Sequence, residues 1–174
     1  MIRYTITIID DQSKTVTPVG FQNHDHSACV AAALAAAEKQ CRMQKLHLTE
    51  TRRRVLEILL DQHRALGAYD ILKHLVAEGR GAQPPVAYRA LDFLVRHGFA
   101  HKIEKLNAYV ACAYPGEAHF PAFMICRACD AIAEAHSNQG KGSLGGAAKE
   151  TGFVIETTVI EAEGLCPKCR PDAP

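Results

Sequence analysis

The stretch PPVAYRALDFLVRHGFAHKIEKLNAYVAC, from Pro84 to Cys112, decides the fold. Pro84 and Pro85 suit a helix start, and Gly98 suits the position just past a helix end. Between them Ala87, Leu91, Leu94 and Val95 share one face, as the helical period requires. Tyr88, Arg89, Asp92 and Arg96 share another, which is polar but carries Tyr beside Arg. From Phe99 the pattern alternates as a strand, turns near Leu106–Asn107 and returns as a second strand.

Upstream, the chain predicts further short helices. From Ser27, a plausible N-cap, ACVAAALAAAEKQCRMQ is rich in Ala and Leu. In LTETRRRVLEILLDQHR, Thr49 can cap a helix whose stripe is Val55, Leu56, Leu59 and Leu60. GAYDILKHLVAEG gives a third helix ending near Gly79. Several short helices, then a helix with an Arg/Tyr face, then a hairpin, is the order of a winged helix-turn-helix. In that motif one helix enters the major groove of DNA and the hairpin can touch its backbone.

Charge divides the chain in the same way. From Lys39 to Lys105 there are 13 Lys/Arg against 7 Asp/Glu, a net +6, whereas the rest carries −5. A basic segment beside an acidic one suggests two domains, the basic one facing an anion such as nucleic acid, although ordinary solvated surface gives the same count. No apolar run nears the roughly 18 residues of a membrane span, and the N-terminus lacks the order of a signal peptide. The expected compartment is the cytoplasm, where seven cysteines stay reduced unless a metal or chemistry claims them.

Beyond Cys112, FPAFMIC and GFVIETTVIEAEGLC are strand-like, and QGKGSLGGAAKETG is a Gly-rich approach to a short helix. The expectation is α+β: an N-terminal extension over 1–27, a winged-helix domain over 28–110, and a small α/β domain over 111–174. The last carries two C-x-x-C pairs, Cys126–Cys129 and Cys166–Cys169, separated by 36 residues. Two such knuckles supply four thiolates to a tetrahedral zinc ion. A dithiol redox site needs only one pair, and a disulfide suits this compartment least. A zinc deaminase needs Pro before the first Cys and an H-x-E, and neither occurs. His101, Cys112, His119 and Glu134 remain near the junction of the halves. Together they offer one sulfur, two nitrogens and one oxygen, a mixed set suited to zinc; singly, each is an ordinary polar or buried residue.

With these motifs in hand, LTETRRRVLEILL, GAYDIL, the stretch Pro84–Cys112, FMICRACDAIAE and VIEAEGLCPKC together resemble the ferric uptake regulator family, and most closely its zinc-sensing branch. The likeness runs from about Ala28 to Cys169. It implies a homodimeric repressor of zinc-uptake genes that binds double-stranded operator DNA and holds two zinc ions per subunit. It is no enzyme and has neither a membrane partner nor a small-molecule substrate. By the resemblance, Cys126, Cys129, Cys166 and Cys169 hold structural zinc, and His101, Cys112, His119 and Glu134 hold regulatory zinc. Tyr69 and Arg89 fall on base-reading positions, Tyr88 lies beside Arg89, and Arg52 heads a helix facing the duplex.

Two departures stand out. The family's usual P-T-V-Y-R is here PVAYR, so a helix-start hydroxyl is missing. The His-rich stretch that iron and peroxide sensors carry before the first C-x-x-C reads EAHFPAFMIC here, with one histidine. That favours zinc over iron, manganese, nickel or peroxide as the signal, as does the Cys112 thiolate. A zinc/dithiol redox protein or a metal store is the more distant alternative. In the extension, HDHSAC offers His24, His26 and Cys29 as an extra metal site or as a cap on the regulatory one, against the plain reading of a polar loop with a buried cysteine. Cys41 is expected on a helix face in the core.

Overall fold

The computed structural model describes residues 20–21, 26–61, 64–80, 83–117, 119–137, 143–156 and 158–171. Four helices come first: α1 (His26–Met43), α2 (Glu50–Leu60), α3 (Ala68–Ala77) and α4 (Pro84–Arg96). Helix α1 begins one residue before Ser27, so that serine lies in its first turn and does not cap it. Thr49 does cap α2, its hydroxyl accepting from the Arg52 N–H at 3.3 Å, which satisfies an otherwise orphaned first-turn donor. Helix α4 opens on its Pro pair, and Gly98 follows its end in the left-handed conformation at φ 72°.

Helices α1 to α4 close over one core. Val55, Leu59, Ile71, Leu75, Leu91 and Leu94 are at most 1% exposed, and Ala37 and Cys41 of α1 join them. Burying each large aliphatic side chain contributes about 1.5–3 kcal/mol. On α4 the buried stripe is Ala87, Ala90, Leu91, Phe93 and Leu94. Val95, expected inside, is 37% exposed, and Phe93 takes its place at 9%. A bulky ring near the edge of the stripe rotates the helix toward itself.

Strands β1 (Ala100–Ile103) and β2 (Ala108–Ala111) form the hairpin, paired from Ala100↔Ala111 to Ile103↔Ala108. Asn107, at φ 46°, makes the turn; asparagine tolerates that left-handed region. Leu66 adds a bridge to Tyr109 through two backbone hydrogen bonds of 2.8 and 2.9 Å.

The remaining strands are β3 (Phe120–Cys126), β4 (Ile132–Ser137) and β5 (Ile160–Gly164), in the order β4-β3-β5. β4 runs antiparallel to β3 and β5 parallel to it, with α5 (Ser143–Thr151) on the connection. The strand expected over 152–166 is shorter than predicted. Residues 153–156 and 158–159 are irregular, and only Ile160–Gly164 finds a partner in β3. A second, smaller core joins hairpin to sheet: Ile103 and Val110 pack with Phe123, Ile125 and Ile132. Gly20 crosses β4 so closely that a Cβ there would stand 2.2 Å from the Ile132 carbonyl oxygen. The β-prone RYTITII run lies outside the described residues.

Candidate metal centres and nucleic-acid interface

The first centre is built by β3, β4 and β5. Cys126 ends β3, and the chain turns back through Cys129 to β4. The turn is closed by Cys126 N–H to the Ala131 carbonyl and Asp130 N–H to the Cys126 carbonyl, each 2.9 Å. Parallel pairing of β5 with β3, to Cys126↔Gly164, then delivers Cys166 and Cys169. All four sulfurs lie within 4.8 Å of one another and none forms a disulfide. A tetrahedron with metal–sulfur bonds of about 2.3 Å has edges of about 3.8 Å, and Cys129 Sγ stands 3.8 Å from Cys166 Sγ. The donor set therefore fits a tetrahedral, sulfur-preferring ion. The Cys166 N–H, 3.3 Å from Cys126 Sγ, chiefly holds that thiol low, whereas the neighbouring Cys166 and Cys129 thiols push Cys169 up. One thiolate forms readily, and more require a cation among them.

The second centre lies where hairpin meets sheet. His101 comes from β1, Cys112 from just past β2, His119 from the entry to β3, and Glu134 from β4 opposite Phe123. Their ligand atoms also lie within 4.8 Å of one another. Glu134 is 4% exposed and the only buried charged residue among those described. Its Oε2 accepts from the Ala113 N–H at 2.8 Å, and its Oε1 is 2.7 Å from His119 Nε2 and 3.2 Å from His101 Nε2. Burial works to raise the Glu134 carboxyl, but His101, the Ala113 N–H and His119 outweigh it and hold the group below the usual carboxylate range. Burial, then the Glu134 charge, push the Cys112 thiol up to about 12.

The second centre is poised for a cation. His119 Nδ1 lies 2.9 Å from the Glu117 carbonyl, which can only accept, so Nδ1 carries a proton. The 2.7 Å contact between Nε2 and the Glu134 carboxylate is then favourable with a proton or a cation between them. His101 Nε2 is buried without an aligned hydrogen-bond partner, although within ion-pair distance of Glu134. Cys112 Sγ closes the group 3.6 Å from His119 Nε2. One sulfur, two nitrogens and one oxygen converging in a largely buried site fit zinc.

The residues expected at DNA differ in setting. Tyr69, in the first turn of α3, is 65% exposed, and Tyr88 on α4 is 41% exposed. Arg89 is exposed beside it, its Nε donating to the Pro85 carbonyl at 3.1 Å. Arg52 is half-buried. Its guanidinium stacks 3.8 Å above the Phe93 ring and donates to the His47 carbonyl at 2.6 Å.

His24 lies outside the described residues, and His26 is placed only as the start of α1. Cys29 lines a cavity of about 310 Å³ that also touches Cys112 and Glu134. Sequence reasoning missed Glu117 and Ala113, which orient His119 and Glu134. Both act through backbone atoms, which leave no residue-type signal.

The chain matches the ferric uptake regulator family over residues 43–163. The zinc uptake regulation protein of Escherichia coli (strain K12) is 40% identical over 137 residues, covering 78% of this chain and 80% of that one. The protein of the same name from Shigella flexneri gives the same figures. Among solved structures, a zinc uptake regulator complexed with zinc and DNA has a TM-score of 0.74 at 39% identity, over 79% of this chain and 92% of that one. The crystal structure of holo XcZur has a TM-score of 0.71 at 36% identity, over 79% and 96%.

Proposed function

This chain belongs to the ferric uptake regulator family, and we propose that it is a zinc-responsive transcriptional repressor. On this reading it binds operator DNA as a homodimer when the second centre is filled, and represses zinc-uptake genes in the cytoplasm. It acts as a regulator and not as an enzyme. The observation that carries the reading is the second centre, with its sulfur, two nitrogens and oxygen drawn from hairpin and sheet at once. The names of the relatives point the same way. Among the described residues no helix is long and apolar enough to cross a membrane.

Cys126, Cys129, Cys166 and Cys169 would hold one zinc, and His101, Cys112, His119 and Glu134 the other. When bound, the ion supplies strong directional bonds that compensate thiolate and carboxylate charge in a largely buried site. The chain's own residues convert that into posture. His101 sits on the hairpin that follows α4, so fixing its ring against Glu134 fixes the hairpin against the sheet. Glu117 and Ala113 hold His119 and Glu134 in place with or without the ion. We assign 28–110 to the DNA-binding domain, 111–174 to the dimerisation domain, and 1–27 to an extension.

Dimerisation is supported by Phe153 and Val154, 69% and 78% exposed, with Val159 and Ile160, 51% and 41% exposed, leading into β5. Exposed large apolar side chains of this kind suit a protein interface, and a two-fold interface pairs a surface with itself. Dimer geometry then sets the spacing of the two α4 helices, which must match the half-sites. To move from mostly unbound to mostly bound, zinc must favour the competent posture by about 5.5 kcal/mol.

Fluorescence anisotropy on a promoter fragment upstream of a zinc-importer operon, at buffered free zinc, tests the reading. Tight binding that saturates at a second zinc per subunit is expected. Tight binding with iron, manganese or nickel in place of zinc would overturn the sensor identity. Metal-independent or absent binding would overturn the repressor.

A further inference from the structure

The hairpin turn is held by a carboxylate that belongs to neither metal centre. The last ladder pair is Ile103↔Ala108, so the N–H groups of Glu104 and Lys105 have no partner within the hairpin. Two successive free N–H groups make a small anion-binding concavity. Glu161 of β5 fills it, Oε1 accepting from Glu104 N–H at 2.6 Å and Oε2 from Lys105 N–H at 3.0 Å. Two residues on, and so on the same side of the strand, Glu163 pairs with Lys105 Nζ at 2.7 Å. The remaining nearby ion pair, Lys102 Nζ with Glu104 at 2.8 Å, stays within the hairpin.

We propose that Glu161 is a positioning residue that latches the hairpin turn onto the C-terminal sheet and biases the subunit toward its DNA-competent posture without help from metal. Among the described residues four devices join hairpin to sheet: the apolar cluster around Ile103, the metal quartet through His101, the Lys105–Glu163 ion pair, and Glu161. Only the quartet needs an ion. The latch is made in a posture that overlays a DNA-bound relative at a TM-score of 0.74, which favours a positioning role over competition with a DNA phosphate for the same amides. A contact that favours the competent posture also lowers the zinc concentration at which DNA binding appears, because the two equilibria are linked. This consequence rests on the repressor reading above, whereas the latch itself does not.

The test is Glu161→Gln in the full-length, zinc-loaded protein, with Glu156→Gln, an exposed carboxylate of equal charge, as control. Amide hydrogen exchange at Glu104 and Lys105 should quicken about tenfold, while Leu66 and Tyr109, bonded elsewhere, keep their protection. Unchanged exchange at both turn amides would remove the latch. In the anisotropy titration the zinc midpoint should rise about tenfold, with DNA affinity at saturating zinc retained. An unmoved midpoint, or tighter DNA binding, would overturn the bias even where the exchange result stands. If the parent protein shows no zinc-dependent binding, the repressor reading fails, and the exchange experiment still decides the latch.

Discussion

Glu134→Gln tests the second centre because metal binding should weaken strongly while metal-free stability falls only modestly. The substitution keeps the shape of a side chain that is 4% exposed and leaves an oxygen for the Ala113 N–H. It removes the single anionic oxygen among the quartet's ligands apart from the thiolate. Losing one partner of a buried charge pair costs about 3–5 kcal/mol, which at 1.36 kcal/mol per decade is a loss of about 150-fold to 5,000-fold in affinity for the second ion. Zinc content should fall from two to one per subunit at micromolar free zinc, and the midpoint for DNA binding should move by a similar factor. With only the four-cysteine ion loaded, the variant should melt below the parent, because a carboxyl held low in the fold contributes stability at neutral pH. The Gln amide can still donate to His119 Nε2 across the 2.7 Å contact, which keeps the loss modest. Competition against a fluorescent chelator measures the first effect, and thermal melts at one zinc per subunit the second. A second zinc bound within tenfold of the parent would refute the assignment of Glu134 as a ligand, and a raised melting temperature would refute the stabilising role of its charge.

The other predictions concern separate parts of the molecule. Cys126→Ser removes the thiol that the Cys166 N–H holds low; metal analysis should lose the four-cysteine ion, and size-exclusion chromatography should show monomer or aggregate in place of dimer. Arg89→Ala should cost about 1–3 kcal/mol of discrimination between operator and random DNA, and equal loss on both would reduce Arg89 to a phosphate contact. Arg52→Ala should spare that discrimination and lower stability by about 0.5–1 kcal/mol through the lost stack on Phe93, read from chemical denaturation. Gly20→Ala has no room for its methyl against Ile132 and φ is +128° there, so proteolysis around residue 20 should quicken while the rest of the fold resists.

Local signals were the legible ones. The Pro84–Gly98 helix, the Thr49 cap and the Asn107 turn are each written within a few residues, because capping and left-handed turns depend on neighbours in the chain. The two C-x-x-C pairs announced a shared ion because four thiols at that spacing have few other uses. The quartet was legible as a set of residue types, but its assignment to one site came from likeness to a family. Its convergence depends on β4 pairing beside β3 and on a hairpin folded against both.

What only the tertiary structure decided are matters of partner and direction. Periodicity put Val95 inside α4, but the bulk of Phe93 turned the helix and left Val95 at the surface. Composition made residues 152–166 strand-like, yet a strand exists only where another edge accepts its hydrogen bonds, and among the described residues β3 accepts only from Ile160 onward. Arg52 has the charge that suits a DNA contact, and only the fold shows that its guanidinium also stacks on Phe93 and donates to the His47 carbonyl. Glu161 carries no signal in the sequence, because its partners are two backbone N–H groups more than 50 residues away. The sequence by itself determined the kinds of element and the ligand types, which follow from side-chain chemistry and local spacing. The fold decided which groups meet, because a backbone amide has the same identity at every position until packing leaves it without a partner.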